Sequence, residues 1–363
     1  MKALRFLMIF LNVLAAILLL LSYSAAFISP EKIPHLAYFG FLYPVLLFVN
    51  IAFIVFWLIF NYKYSFISLL IILVGFGNLS RHIQLFGKAL TEKDTEDVMH
   101  LMSYNVQIFG LYNWDENINI RDSIIEYIEK EQPDVLCLQE YFTNTSGKFE
   151  TGTLISKALG DVNKNEAFSV RIHGNQSFGL VTFVRYPVLN TGEIQFENSN
   201  NLVQLTDFIF QKDTLRLYNI HLQSLHFDDK DYKDIDNLKV KEINKKQLGS
   251  IRAIMHKFAY ASKQRAIQSD FVKKHINQSP YPVILCGDFN DTPGSYAYNV
   301  LAKDLKDAFR SSGRGLDFSY QRGLLHMRID HVLYDNALKS YGFNTKNVKY
   351  SDHFPVSCYL SAK

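Results

Sequence analysis

Cysteine is scarce: the 363 residues hold three, Cys137, Cys286 and Cys358. The odd number and the lack of any Cys-x-x-Cys spacing argue against a disulfide framework and against a cysteine zinc site. Each lies in an apolar run ("VLCLQ", "ILCGD", "VSCYL") and reads as a small buried hydrophobe. A surplus of one charge is also missing. The first 99 residues carry seven Lys or Arg and five Asp or Glu, which leaves 31 basic and 30 acidic residues of the total 38 and 35 for the remainder. A part so near neutrality lacks the electrostatic footprint of a tight nucleic-acid binder. No basic stripe with interleaved aromatics, of the kind that holds single strands, is present. Internal repeats and low-complexity segments are absent too.

Charge is missing altogether from Phe6 to Pro30, from Leu36 to Phe60 and from Tyr64 to Ser80. A spanning helix needs roughly 20 apolar residues, and apolar side chains circle these segments without a polar face. The expectation is an all-α transmembrane region of about three helices, over 6–28, 36–60 and 64–80. Gly75 and Gly77 in the shortest run are tolerated in such helices. Lys2 and Arg5 form a basic start, and "SYSAAF" resembles a signal cleavage site. Cleavage there would leave two spans. Lys2, Arg5 and Lys63 fall on one side and Lys32, Arg81, Lys88 and Lys93 on the other, so loop charge alone does not orient the chain. A basic start held inside, followed by three spans, puts the carboxyl-terminal part on the non-cytoplasmic side of an inner or plasma membrane.

The chain then divides into a membrane region over 1–86, a charged linker over 87–98 and a globular domain over 99–363. Strand-like runs, β-branched or aromatic and bounded by turn residues, fill the last part: "VMHLMSYNV", "DVLCLQEY", "GLVTFVRYPV", "LRLYNIHL", "PVILCGDF", "IDHVLYD" and "FPVSCYL". Between them, "IRDSIIEYIEKEQPD" sets Ile120, Ile124, Ile125 and Ile128 at helical spacing before a proline. A longer helical stretch starts near Ile251. The mixture suggests an α/β domain with two sheets face to face and helices outside. The mixed-charge insert from Asp228 to Lys246 reads as a solvated loop or lid.

Several strand-like runs end in groups suited to a divalent cation or a phosphate. "MSYNV" carries Asn105, "LCLQE" ends at Glu140, and "LYNIHL" carries Asn219 and His221. "ILCGDFN" ends at Asp288 and Asn290, "RID" sets Asp330 before "HVLY", and "YSDHFPV" sets Asp352 and His353 before the last run. One such ending is ordinary turn chemistry; six in one domain are not. Hard oxygen ligands such as Glu140 and Asp352 suit magnesium, which keeps several waters and uses few carboxylates. Zinc is poorly served, because no close histidine pair or cysteine ligand is present.

The ordered set "SYNV", "LQE", "NIHL", "GDFND", "RIDHVLY" and "SDHFPV" resembles the endonuclease/exonuclease/phosphatase superfamily over about Met99 to Leu360. The resemblance implies the fold of pancreatic deoxyribonuclease, a four-layer α/β sandwich of two packed mixed sheets flanked by helices. It also implies hydrolysis of phosphate esters with Mg2+ or Mn2+. Carried over residue by residue, it makes Glu140 the principal metal ligand, with Asn105 and Asp352 alongside. Asp288 would orient or deprotonate the attacking water, and Asn290 would hold a phosphate oxygen. His353, paired with Asp330, would act as general base or hold the scissile phosphate. His221 would donate to a phosphate oxygen. One departure is Gln107, a neutral amide where many members carry Asn, Asp or Arg. Arg265 reads as a packing or ion-pair residue. His226, His256, His275 and His326 read as ordinary histidines. The expected protein is a membrane-anchored, metal-dependent phosphodiesterase that meets the bilayer through its amino-terminal helices. Its expected substrate is a nucleic acid or a phospholipid or sphingolipid headgroup, with no obligate protein partner. The competing expectation is a catalytically inactive binding module on the same fold.

Overall fold

A computed structural model describes residues 2–90, 97–111, 117–145, 147, 149–197, 199–225, 227–236 and 245–363. Residues 91–96 of the expected linker, His226 and residues 237–244 of the mixed-charge insert lie outside the described residues.

Helix α1 (Lys2–Ala25) and helix α3 (Tyr43–Phe60) follow directly from the uncharged runs. At 1.5 Å per residue they extend roughly 36 and 27 Å, against a hydrocarbon core of about 30 Å. Among the described residues these two are long and apolar enough to cross a membrane, or three segments are if one bent pair counts as a span. The expected 36–60 span is not continuous. A short helix α2 (Leu36–Phe41) ends at Leu42, and α3 starts afresh with a proline in its first turn, where the missing N–H costs nothing. The expected 64–80 span is likewise broken at Gly75 into α4 (Ser65–Val74) and α5 (Phe76–His82), bent by 71°. The Tyr23 hydroxyl donates to Ile71 O at 3.1 Å beside this bend. A buried polar contact ties α1, α3 and α4 together: Asn12 Nδ2 donates to Ser68 Oγ (3.2 Å), Ser68 Oγ to Asn50 Oδ1 (2.8 Å), and Asn50 Nδ2 to Ala15 O (3.1 Å). Such bonds join helices that have no hydrophobic drive to associate in lipid.

Strand β1 (Ile83–Gln84) leads out of the helices. One six-stranded sheet uses β2 (Val98–Asn105), β3 (Val135–Asn144), β4 (Asn163–Ile172), β5 (Gln176–Val184), β15 (Leu338–Thr345) and β16 (Val356–Ala362), in the order 15-16-2-3-5-4. The other uses β6 (Val188–Gln195), β7 (Leu202–Phe210), β8 (Asp213–His221), β9 (Val283–Asp288), β10 (Lys306–Asp307) and β14 (Asp330–Tyr334), in the order 10-14-9-8-7-6. Strand β11 (Gly315–Leu316) pairs with β1, and β12 (Tyr320–Arg322) forms a hairpin with β13 (Leu325–Met327). Each large sheet is mixed: β2 and β3 run parallel, as do β8 and β9, while the other pairs are antiparallel. A parallel pair needs a long crossover. Helix α6 (Asn117–Glu131) supplies one and α9 (Lys245–Ile276) the other. The expected stripe on α6 is present, with Ile124 and Ile128 fully buried against Leu136 and Leu138. Helix α7 (Thr151–Ala158) joins α6 on that face, and α10 (Tyr296–Ala302) joins α9 on the other; α11 (Ala308–Ser312) lies near β15.

The two sheets meet over one apolar core that includes Met99, Leu101, Phe208, Leu217 and Ile284. The three cysteines all lie in it, reduced and buried. Toward the carboxyl ends of the parallel pairs this core turns polar. Gln139 Nε2 donates to Asn219 Oδ1 at 2.7 Å, and Asn219 Nδ2 reaches back across the interface to Val181 O at 3.1 Å. This cross-sheet layer fixes the height of one sheet against the other directly under the strand ends that carry Glu140 and His221.

Candidate active site

The parallel pairs deliver their carboxyl ends to the same edge of the sandwich. In β2 and β3, Asn105 stands level with Gln139, one residue before Glu140. In β8 and β9, His221 stands level with Asp288, and Asp330 of β14 faces Asp288 from the other side. Gly287 allows β8 and β9 to close here: its φ is +134°, and a Cβ would sit 2.1 Å from Ile220 O. Glu140 itself is left-handed (φ +47°) at a register shift between β3 and β5. That bulge re-aims its side chain toward the edge of the sandwich. Asn290 (φ +52°) and the turn Gln107, Ile108, Phe109 (φ +44°, +47°, +56°) are also left-handed. Such backbone costs about 1–3 kcal/mol per residue and gathers at functional sites.

Asp288 is the centre. Its Oδ2 accepts from Asn105 Nδ2 at 3.0 Å and from Asn290 Nδ2 at 3.1 Å, and its Oδ1 accepts from Asn290 N at 2.7 Å. His221 Nε2 lies 3.8 Å and His353 Nε2 3.7 Å from Oδ2. Glu140 Oε1 is 3.3 Å from Asn105 Nδ2 and 3.8 Å from His221 Nε2. On the far side His353 Nδ1 meets Asp330 Oδ2 at 2.9 Å. Seven of the eight expected residues are thus linked through one carboxylate. Asp352, the eighth, lines the same cleft as Glu140, Asn290 and His353. Its Oδ1 is 3.5 Å from Ser351 Oγ, which donates in turn to Asn105 O at 2.9 Å.

Burial sets the electrostatics. It raises Asp288 to about 6, against the pull of His353 and His221 and with help from Asp330. Burial alone would depress His353, but Asp330 first and Asp288 second override it and lift the imidazole to about 10. At neutral pH the site therefore holds a carboxylate near its own midpoint beside an imidazolium, which donates Nδ1–H to Asp330.

Among the described residues Asp288, Asp330 and His353 put ligand atoms within 4.8 Å of one another, but their side chains are only 1–7% exposed. Glu140, with a side chain 34% exposed, opens into the cleft. Magnesium keeps several of its waters, so the open oxygen donors Glu140 and Asp352 suit it better than the closed triad. Asn105 Oδ1 accepts from Gln107 N at 3.0 Å, and its amide NH2 faces both Glu140 and Asp288; Asn105 holds the two carboxylates together. Gln107 lines the cleft through a side chain that carries no charge.

The cleft encloses about 370 Å³. Several of its features come from residues the sequence did not single out. Ser319 Oγ accepts from the backbone N–H of Ile329 and Asp330 at 3.0 and 2.9 Å, which fixes the strand start that carries Asp330. Tyr320 stands edge-on to His353, and its hydroxyl meets that of Tyr232 at 2.8 Å. Arg322 stacks over Tyr232 and lies 4.0 Å from Asp352. Tyr232 belongs to α8 (Asp229–Asp236), so the first half of the mixed-charge insert is a helix on the cleft rim. Lys257 pairs with Asp231 to hold it. Arg265 is a buried ion-pair residue: Nε donates to Asp291 Oδ2 at 2.9 Å and Nη1 to Gln223 O at 2.9 Å.

Two mixed sheets with flanking helices, and a site at the carboxyl ends of two parallel pairs, define a DNase I-like α/β sandwich. The chain belongs to the Endonuclease/Exonuclease/phosphatase family, whose model matches residues 102–353. Residues 5–82 match a separate domain of unknown function. Among solved structures, a humanized TDP2 from D. rerio is 15% identical with a TM-score of 0.52, covering 74% of this chain and 100% of that one. The endonuclease/exonuclease/phosphatase from Bacteroides vulgatus is 13% identical with a TM-score of 0.52, covering 73% and 99%. At such identities the likeness shows the fold. No curated protein matches the chain.

Proposed function

We propose that this chain is a membrane-anchored phosphodiesterase that hydrolyses its substrate with a divalent cation, Mg2+ in the first instance. The observation that carries the reading is the convergence on Asp288 of Asn105, His221, Asn290 and His353, from four separate strand ends, beside the open carboxylate of Glu140. Phosphoryl transfer needs positioning and charge neutralisation more than covalent chemistry. In this reading Glu140 and Asp352 hold the cation. When bound it would neutralise charge on the phosphate oxygens and on the leaving group. Asp288 orients a water and takes its proton, and Asn290 steers that carboxylate. His221 and the protonated His353 donate to phosphate oxygens, and Asp330 keeps the His353 ring charged and aimed. Helices α1 and α3, with the bent pair α4–α5, carry the domain at the bilayer, on the non-cytoplasmic side if the amino terminus stays inside.

The test is hydrolysis of bis-p-nitrophenyl phosphate by the full chain in detergent, with Mg2+ and with chelator. Glu140→Gln should lose on the order of 100-fold or more in rate and lose any thermal stabilisation by Mg2+, while its metal-free melting stays near that of the parent. Turnover that ignores both chelator and Glu140→Gln would overturn the reading.

A further inference from the structure

A second cavity of about 410 Å³ adjoins the catalytic cleft. Phe41, Thr292, Leu325 and Met327 line both, so the two spaces share one wall. The wall of the second is mostly apolar. One side is the start of α3, with Val45, Phe48 and Ile51; the other includes Leu316, Phe318 and Leu324 of the catalytic domain. An apolar cavity thus lies between the cleft and the first turns of α3, and we read the two spaces together as a channel.

The depth of its outer end follows from α3. This helix is roughly 27 Å long by its residue count, close to the whole hydrocarbon thickness of about 30 Å. If it crosses, nearly all of it is needed. Val45, Phe48 and Ile51, on its first turns, then lie within the leaflet next to the catalytic domain. Val45 and Phe48 are 58% and 71% exposed, and Leu324 at the tip of the β12–β13 hairpin is 73% exposed. In water that would be an unsatisfied apolar surface; in a leaflet it is an opening lined for hydrocarbon.

The channel is also held in place. Gly40 of α2 and Gly294 touch backbone to backbone, and a Cβ on either would fall 2.8 Å from the other's carbonyl oxygen. Tyr38 Oη donates to Met255 O at 2.9 Å, and Arg81 Nη2 donates to Asn299 Oδ1 at 2.8 Å. The hairpin on the opposite wall is fastened to the site itself, through Gln321 N to Asp352 O at 2.8 Å.

Building on the function proposed above, we propose that the substrate is a phosphodiester lipid of the surrounding bilayer. It enters sideways between α3 and the β12–β13 hairpin and lays one acyl chain in the apolar channel, with its headgroup phosphate at Asp288 and Glu140. Hydrolysis adds one water across one P–O bond and yields an alcohol and a phosphomonoester, with no other reactant.

The experiment uses the full chain in vesicles of phosphatidylethanolamine, phosphatidylglycerol and a phosphatidylcholine carrying a photoactivatable diazirine in one acyl chain. Lipid turnover is compared with turnover of bis-p-nitrophenyl phosphate. Val45→Trp and Phe48→Trp fill the channel mouth and should lower the ratio of lipid to soluble turnover at least tenfold. Leu58→Trp, further along α3, should not change it. With chelator present, the diazirine should label Leu325 and Met327, which line both cavities. An unchanged ratio in the mouth variants, or lipid left intact while the soluble diester or DNA is cut, overturns the lipid proposal and leaves the phosphodiesterase standing. Labelling of Leu325 and Met327 with no hydrolysis of any substrate supports the lipid channel and overturns the catalytic reading. Neither labelling nor hydrolysis overturns both.

Discussion

Replacing Asp330 by Asn removes one negative charge from beside His353 while keeping an acceptor of the same shape. In the parent, His353 is lifted from its ordinary 6.5 to about 10, with Asp330 the largest of the three carboxylate causes. That gap is worth roughly 5 kcal/mol in favour of the protonated ring. Losing the Asp330 charge lowers the ring's midpoint in the Asn variant, because burial then meets less opposition. The sign follows from the direction of the shift. A raised imidazole keeps its proton below its folded midpoint and loses it as pH rises through that midpoint, so the variant loses it earlier. At pH 6.5 both rings are charged, and only orientation suffers, by about 10- to 100-fold. At pH 9 the parent ring is still mostly charged and the variant's carries less charge, which widens the deficit. The assay is bis-p-nitrophenyl phosphate hydrolysis with Mg2+ from pH 6 to 10, with melting curves to verify folding. A variant deficit that shrinks as pH rises would refute the role of His353 as a charged phosphate donor and favour a general base.

Arg328→Met breaks a buried ion pair in which Arg328 grips Asp307 at 2.8 and 3.3 Å and also donates to Arg81 O at 3.0 Å. It should cost about 3–5 kcal/mol in equilibrium unfolding, and a loss under 1 kcal/mol would contradict that account. His331 is held neutral at about 3, by burial first and by the Arg328 charge second. Its depressed midpoint contributes stability that is present above pH 6.5 and lost as pH falls toward 3, at up to about 1.4 kcal/mol per pH unit. Chemical denaturation between pH 7 and 4 should show His331→Gln with a shallower acid slope than the parent, and parallel slopes would count against it.

Strand ends were the most readable part of the chain. "VILCGD" is buried at every position as β9, and Asp288 at its end meets Asn105 of "SYNV" and His221 of "NIHL". A run of apolar residues that stops at carboxylates needs only local patterning to be noticed. The helix breaks were less legible. Leu36 to Phe60 has no charge to interrupt it, yet α2 turns aside at Leu42 because Gly40 packs on Gly294, more than 250 positions away. Ser319 and Tyr320 carry no signal of their own in the sequence; their roles come from hydrogen bonds and ring contacts to Asp330 and His353 that only the folded chain creates. Tyr232 was hidden in a stretch whose charges read as solvated, although one face of its short helix closes the cleft.

The Asn12–Ser68–Asn50 contact has a consequence for the far side of α3. Tyr43, Leu47, Asn50 and Trp57 form the buried stripe of that helix, and Val45, Phe48 and Ile51 lie off it. A slip of one residue would turn the helix by about 100° and pull Asn50 from Ser68 and Ala15. The amide thus works as an angular lock: a polar trio in the bundle sets which side chains α3 presents to the globular domain.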